Sequence, residues 1–305
     1  MVSMLYKTNI FGIVGSDNNP DYKQNQVLIW DDLSEKIAYK ITATERVLNL
    51  KLRRDRIFIV CKNKIYVVNS KGEYYIPRVI DTGVNPNGLI AISYNEENTI
   101  IVYPSSDENK NKGELTVENL DDKLSAVRYF FPHSHKVAYI ALSYDGLLLV
   151  TASEDGKKIR IYDSESLDKL QELNRGKEKA KIKYISIDFK NQFLAASSER
   201  GTIHIWSLSQ SLEKLKKSGK YKINENENKI SNASSVFAVL PTFLGGGFFD
   251  NEWSFAQVRL EEPYSIFHFG LDNSLIIITS SGKYYKAKID LAKGGDCQIL
   301  EECCL

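Results

Sequence analysis

The sequence predicts an all-β protein, a β-propeller built from four-stranded blades. Three observations carry this reading: β-branched and aromatic runs fill the chain, they come in pairs joined by tight turns, and the pairs recur at an irregular period of about 40 to 50 residues. Helical periodicity is scarce. Taken in order, the second run of each pair reads QVLIWD at 26–31, KIYVVN at 64–69, GELTVEN at 113–119, KIRIYD at 158–163, TIHIWS at 202–207 and KYYKAKID at 283–290. The runs before four of them fit the same scheme: RIFIVCK, LLLVTASEDG, FLAASSERG and LIIITSSG. Turn formers such as EDG and ERG join the pairs, as a hairpin requires. Side chains alternating along each strand would face the neighbouring blades, so no blade is expected to be stable alone. A single domain over 1–305 with six visible blades follows. The Trp-Asp pair of many such repeats is approached only at Trp30-Asp31.

One interval, about 209–252, breaks the rhythm. Its first part, SQSLEKLKKSGKYKINENENK, is polar and lysine-rich, and its second, SSVFAVLPTFLGGGFF, carries no charge. A loop of that length inside a compact domain is usually functional or disordered.

Composition narrows the function. Of 305 residues 43% are apolar, enough for a sizeable core, and 40 basic against 39 acidic residues give a formal net charge of +1. Nothing global draws such a chain to nucleic acid, so any anion site must be local. Cys61, Cys297, Cys303 and Cys304 are too unevenly spaced for a disulfide framework or paired zinc clusters, and no secretory segment opens the chain, which reads as reduced and cytoplasmic. No run reaches the roughly 18 to 20 apolar residues that span a bilayer, so membrane contact is expected to be peripheral. The ending ECCL lacks the cysteine of a prenylation box, because Glu302 stands there. His133, His135, His204 and His268 form no metal-ligand spacing, and no GxSxG, HExxH or P-loop occurs. The expectation is a protein without catalytic activity, cofactor or metal.

Eight ordered blocks resemble the PROPPIN family, β-propellers that bind polyphosphoinositides and act in autophagy. They are TNIFGIVGS with QVLIWDDL, LKLRRDRIFIVCKNKIYVV, NPNGLIAIS, ALSYDGLLLVTASEDG, IRIYDSESLDKLQELNRG, AASSERGTIHIWSL, NEWSFAQVRL and the closing KGGDC. The resemblance implies a seven-bladed ring with two phosphoinositide sites on its rim, flanking an FRRG motif. Two features depart from it. The family normally has one more blade before TNIFGIVGS, so either the start is truncated or the ring closes with six. The motif itself reads LNRG, with Leu173 and Asn174 before the retained Arg175 and Gly176.

Adjacent side chains of an extended segment point to opposite sides, so an arginine doublet would serve two separate pockets. Arginine's planar fork pairs bidentately with phosphate, and Ser, Thr and His complete the shell. The resemblance assigns Arg175, Gly176, Ser198, Arg200, Thr202 and His204 to the second pocket. It assigns His133, Ser153 and Asn174 to a weakened first pocket, where Lys157, next to Lys158, would return the charge lost at Asn174. Read without the family, Arg175-Gly176 is a solvated turn and His204 a packing residue. Arg53 and Arg54 fall in another blade and read as structural or solvated.

In the family the inserted loop contacts membrane. Here Lys214, Lys216, Lys217, Lys220 and Lys222 could lie over anionic lipid, and Phe237, Val239, Leu240, Phe243, Leu244, Phe248 and Phe249 could enter the acyl boundary. Alternatively VLPTF packs on the blade. The expected function is a monomeric lipid effector and scaffold in autophagy. It would recognise phosphatidylinositol 3-phosphate or the 3,5-bisphosphate peripherally on phagophore, endosomal or vacuolar membranes. Asn85 to Ser93 is where the resemblance would place an autophagic lipid-transfer protein. The alternative is a protein-only scaffold that has lost lipid recognition.

Overall fold

Alternation with a period of two dominates the chain, and the computed structural model turns it into six mainly antiparallel sheets among the described residues, which are 1–16, 22–95, 99–105, 113–121, 127–221, 230–234, 252–262 and 265–304. The first sheet holds β1 (Val2–Met4), β2 (Ile10–Val14), β3 (Gln26–Asp31) and β4 (Lys36–Thr42), and the second β5 (Asn49–Leu52), β6 (Arg56–Val60), β7 (Lys64–Asn69) and β8 (Tyr75–Asp81). The third comprises β9 (Ala91–Ile92), β10 (Ile100–Pro104), β11 (Leu115–Asn119) and β12 (Arg128–Phe130). The fourth comprises β13 (Val137–Leu142), β14 (Leu148–Ser153), β15 (Lys158–Asp163) and β16 (Lys169–Asn174). The fifth is built on β17 (Ile182–Ile187), β18 (Phe193–Ser198) and β19 (Thr202–Ser207). Then come α1 (Ser209–Lys217), β20 (Ala233–Ser234) and β21 (Glu252–Trp253), the last two extending the fourth sheet through a parallel pairing of β21 with β16, before β22 (Ala256–Arg259) joins the fifth sheet. The sixth sheet holds β23 (Ser265–Phe269), β24 (Ser274–Thr279), β25 (Lys283–Lys288) and β27 (Gln298–Cys304), while β26 (Gly295–Asp296) pairs in parallel with β22.

The sheets group into two compact units, Met1–Tyr94 with Ile100–Tyr129, and Asn95–Thr99 with Phe130–Leu305. In the first unit, Val27 and Ile29 of the first sheet pack with Leu50, Ile57 and Ile59 of the second. Phe58, Val60 and Ile65 face the other way and meet Ile92 and Ile101 of the third. A sheet buried on both faces needs a nearly unbroken apolar run, which is why RIFIV shows no polar alternation. Arg53, read from the sequence as structural or solvated, is structural: it is buried, bonding the Asp55 carboxylate at 2.9 Å and the Ser93 carbonyl at 2.8 Å. Arg54 lies over the Tyr6 ring, 5.6 Å from its centre.

In the second unit, Leu148, Val150, Ile159, Ile161 and Leu173 of the fourth sheet pack on Ile182, Ile185, Leu194 and Trp206 of the fifth. Ala195, Ile203, Ile205 and Val258 on the reverse of the fifth sheet pack on Phe267, Leu275 and Ile277 of the sixth.

The inserted interval opens differently from its sequence reading. Ser209–Lys217 is a helix whose Leu212 and Leu215 are buried, with Leu215 joining the core beside Leu208 and Trp206. The spacing Leu208, Leu212, Leu215 is one helical face, a short signal lost among the lysines. Removing the Leu173 side chain, fully buried between the fourth and fifth sheets, leaves a cavity. Leu173→Ala is expected to lower stability by about 2 to 5 kcal/mol in a denaturant titration.

Candidate anion-binding site

Two glycine turns frame the site. Gly156, in EDG, has φ +58°, and a Cβ there would stand 1.8 Å from the Ala180 carbonyl oxygen. Gly201, in ERG, has φ +78°, with its Cβ position 2.8 Å from the Leu260 carbonyl oxygen. Only glycine takes these conformations without a clash. Gly176 is under no such constraint, since a Cβ there would meet nothing within 4 Å.

The motif strand β16 ends at Asn174, which pairs with Lys158 of β15. Arg175 follows, its backbone N–H donating to the Lys157 carbonyl at 2.8 Å. The Arg175 side chain is almost wholly buried, and its Nε donates to the Gly156 carbonyl at 2.8 Å while Nη2 donates to the Glu178 carbonyl. It therefore braces two turns as well as supplying charge, and Nη1 takes no part in either bond. Burial lowers its pKa, the neighbouring Arg200 adds to that, and Glu178 opposes it. A guanidinium nevertheless stays protonated.

Around this arginine stand the other residues of the second set. Ser198 ends β18 and is buried, and its Oγ accepts the Arg200 backbone N–H at 3.5 Å. The Arg200 side chain is 52% exposed and pairs with Glu178, which is 71% exposed. Thr202 and His204 project from one face of β19, and across the ladder Thr202 faces Arg259 and His204 faces Gln257. Arg259 went unrecognised in the sequence, although the alternation of FAQVRL against GTIHI carried the signal. It pairs loosely with Asp296 at 3.3 Å. Burial first, then the charges of Arg175 and Arg259, push the His204 pKa down to about 4. Its Nδ1 lies 3.1 Å from the Ser254 hydroxyl. With that hydroxyl donating, the ring keeps its proton on Nε2. Three guanidiniums, a neutral imidazole and two hydroxyls thus converge, offset by two exposed carboxylates.

The first set is arranged differently. His133 Nε2 lies 3.0 Å from the Thr151 hydroxyl, and burial, reinforced by Arg160, lowers its pKa to about 4. Thr151 stands opposite Arg160, and Arg160 opposite Glu172, so these groups share one face of the fourth sheet with Lys158 and Asn174. Ser153 ends β14 and is buried. Lys157 lies in the bend before β15, and Lys158 is the lysine that stands opposite Asn174. Lys158 bonds the Glu172 carboxylate. The lysine opposite Asn174 is thus paired within the sheet, while the charge of Lys157 acts on Asp155, helping to lower its pKa.

Among the inserted residues, Lys214 donates to the Leu170 carbonyl, and Lys220 pairs with Asp163 and Glu165, each at 2.8 Å. Those two lysines belong to the protein's own packing. Lys216 and Lys217 are exposed. Lys222 and the apolar group Phe237, Val239, Leu240, Phe243, Leu244, Phe248 and Phe249 lie outside the described residues. No described helix is long and apolar enough to cross a membrane. Among the described residues no three His, Cys, Asp or Glu side chains gather as metal ligands.

Four-stranded sheets packed through apolar layers define a β-propeller, and a cationic cluster lies between the fourth and fifth of them. Comparison with known proteins narrows the class. The PROPPIN family model matches residues 1–305, and this chain belongs to that family of non-enzymatic, autophagy-related propellers. It is 31% identical over 303 residues to autophagy-related protein 18e of Arabidopsis thaliana, covering 99% of this chain and 75% of the relative. It is 26% identical over 330 residues to autophagy-related protein 18 of Schizosaccharomyces pombe, covering 100% and 87%. Among solved structures, Hsv2 of Kluyveromyces lactis matches with a TM-score of 0.73 at 18% identity, over 99% of this chain and 86% of that one. A structure described as the complex of KlAtg21 with the coiled-coil of AgAtg16 matches at 0.75 and 19%, over 100% and 84%. At such identities the structures support the fold alone.

Because His204 and His133 are depressed from the ordinary 6.5 to about 4, unfolded histidine takes up a proton in that window while the folded ring does not. Stability is therefore expected to fall as pH drops from about 6.5 towards 4. The decline in the urea midpoint should be shallower in His204→Gln than in the unaltered chain.

Proposed function

We propose that this chain binds the headgroup of a 3-phosphorylated phosphoinositide, phosphatidylinositol 3-phosphate or the 3,5-bisphosphate, at the second site. It acts thereby as a peripheral membrane effector and scaffold in autophagy. The observation that carries the reading is the convergence of Arg175, Arg200 and Arg259 on Thr202 and His204, with Ser198 at the edge. A phosphate there would accept from the guanidinium forks and from His204 Nε2, while Thr202 and Ser198 would meet ring hydroxyls. Arg200 is the free hand of the site, because its partner Glu178 is exposed and cheaply displaced.

A single headgroup site seldom holds a protein on a bilayer, and apolar contact adds to it. Phe237, Leu240, Phe243, Phe248 and Phe249 would supply that contact on phagophore, endosomal or vacuolar membranes. Protein partners in the same setting would include an autophagic lipid-transfer protein docking near Asn85 to Ser93. There the Asn85 side chain closes a turn by bonding both the N–H and the carbonyl of Leu89. The coiled-coil partner in the related complex suggests a second kind.

Liposome flotation with and without the 3-phosphorylated lipid tests this. Arg200→Ala combined with His204→Ala is expected to weaken binding at least about tenfold, the scale of one charge-assisted hydrogen bond. Equal flotation of both proteins would return the chain to the protein-only scaffold reading. Phe248→Asp with Phe249→Asp is expected to lower flotation while leaving the affinity for soluble headgroup unchanged.

A further inference from the structure

The first site already contains an anion of the protein's own making. Glu172 sits between Arg160, directly across the ladder, and Lys158, two pairs further along on the same face. Its Oε1 accepts from the Lys158 ammonium, and its Oε2 accepts from Arg160 Nε at 2.8 Å and from Lys169 at 3.3 Å. Arg160 spends Nη1 as well, on the Pro132 carbonyl at 2.5 Å. The donors that would grip a phosphate on this face are therefore committed. Beside them stand two neutral groups, His133 held to Thr151 and Asn174, whose Nδ2 is buried with no hydrogen-bond partner, and one further cation, Lys157, whose charge helps lower the pKa of Asp155.

We propose that Glu172 is the built-in occupant of the first site, a tethered carboxylate that holds the cluster of Lys158, Arg160 and Lys169 closed to phosphate, so that the chain takes one headgroup and not two. The proposal rests on the reading of the second site given above, and the contrast between the two sites supports it. Glu178, which pairs with Arg200 at the second site, is 71% exposed, whereas the Glu172 side chain is 16% exposed. A ligand displacing Glu178 releases it into water. A ligand displacing Glu172 leaves a mostly buried carboxylate without its cations, which is far more costly. Burial acts to raise the Glu172 pKa, but the bonds from Lys158 and Arg160 prevail and hold it at about 2. The tethering adds a further advantage, since an intramolecular group competes at an effective concentration in the mM range. With Asn174 where an arginine would stand, no additional guanidinium offsets that competition.

The test is isothermal titration of the full chain with inositol 1,3-bisphosphate, the soluble headgroup, kept below about 100 μM so that it does not outcompete the tethered carboxylate. The unaltered chain is expected to bind one equivalent. Glu172→Gln keeps the shape of the side chain but removes its charge and turns one acceptor oxygen into an NH2 donor, and is expected to bind two. The added equivalent should survive in Glu172→Gln combined with Arg200→Ala and His204→Ala. Two equivalents in the unaltered chain, or one in Glu172→Gln with an unchanged melting temperature, would overturn the proposal. No binding by the unaltered chain together with one equivalent in Glu172→Gln would remove the second-site reading and leave this one standing, and no binding by either would remove both. A measurement free of any variant uses the imidazole resonances of the unaltered chain. Those of His204 are expected to move on titration while those of His133 stay still, and movement of His133 would sink the idea even if Glu172→Gln failed to fold.

Discussion

Burial of both faces of a strand is the constraint on which this protein depends. In the fourth sheet Leu173 points into the core shared with the fifth sheet, while Asn174 stands beside Lys158 on the reverse face. Arg175 then returns to the side of Arg200 and His204. A single dipeptide is thereby divided between two chemical environments. Because the sheets are held by packed apolar layers such as Leu148, Ile159, Ile182 and Trp206, a slip of one residue would exchange those environments and expose the core together. The site is as rigid as the core beneath it.

Charge is organised locally on that scaffold. With a net charge of only +1, the whole chain exerts little long-range attraction on an anionic surface, and recognition falls to short-range contacts. Lys158, Arg160, Arg200 and Arg259 each have an acidic neighbour, and what distinguishes one from another is the solvent exposure of that neighbour. Exposed partners leave an arginine available, while half-buried partners hold it. Arg175 has a third condition, being tied to backbone carbonyls of two turns, which fixes its position at the cost of two of its donors.

The inserted segment shows the same economy. Its first nine residues coil into a helix that buries Leu212 and Leu215 and anchors Lys214 on the fourth sheet. Lys220 crosses back to Asp163, 57 residues away in sequence. Further on, Glu252 and Asn232 join Gln171 and Ser207 in a polar network that fastens the end of the insertion to the sheets. The insertion therefore leaves and rejoins the scaffold at fixed points, and it rejoins beside the headgroup candidates: Glu252 and Trp253 pair in parallel with Leu173 and Asn174, and Ser254 bonds His204.

The sequence by itself determined the strands, their pairing into hairpins and the faces on which neighbouring residues lie. Those properties follow from local alternation and from turns such as EDG and ERG, where a positive φ demands glycine. Arg175, Arg200, Thr202 and His204 were singled out by the family resemblance and not by composition or spacing. Only the tertiary structure decided which cations are available, that Arg259 stands opposite Thr202, that Lys158 and Arg160 are bound to Glu172, and that a lysine-rich stretch begins as a packed helix. Ion pairing depends on distance in space and on the water around each partner, and neither quantity is written in the spacing of residues along a chain.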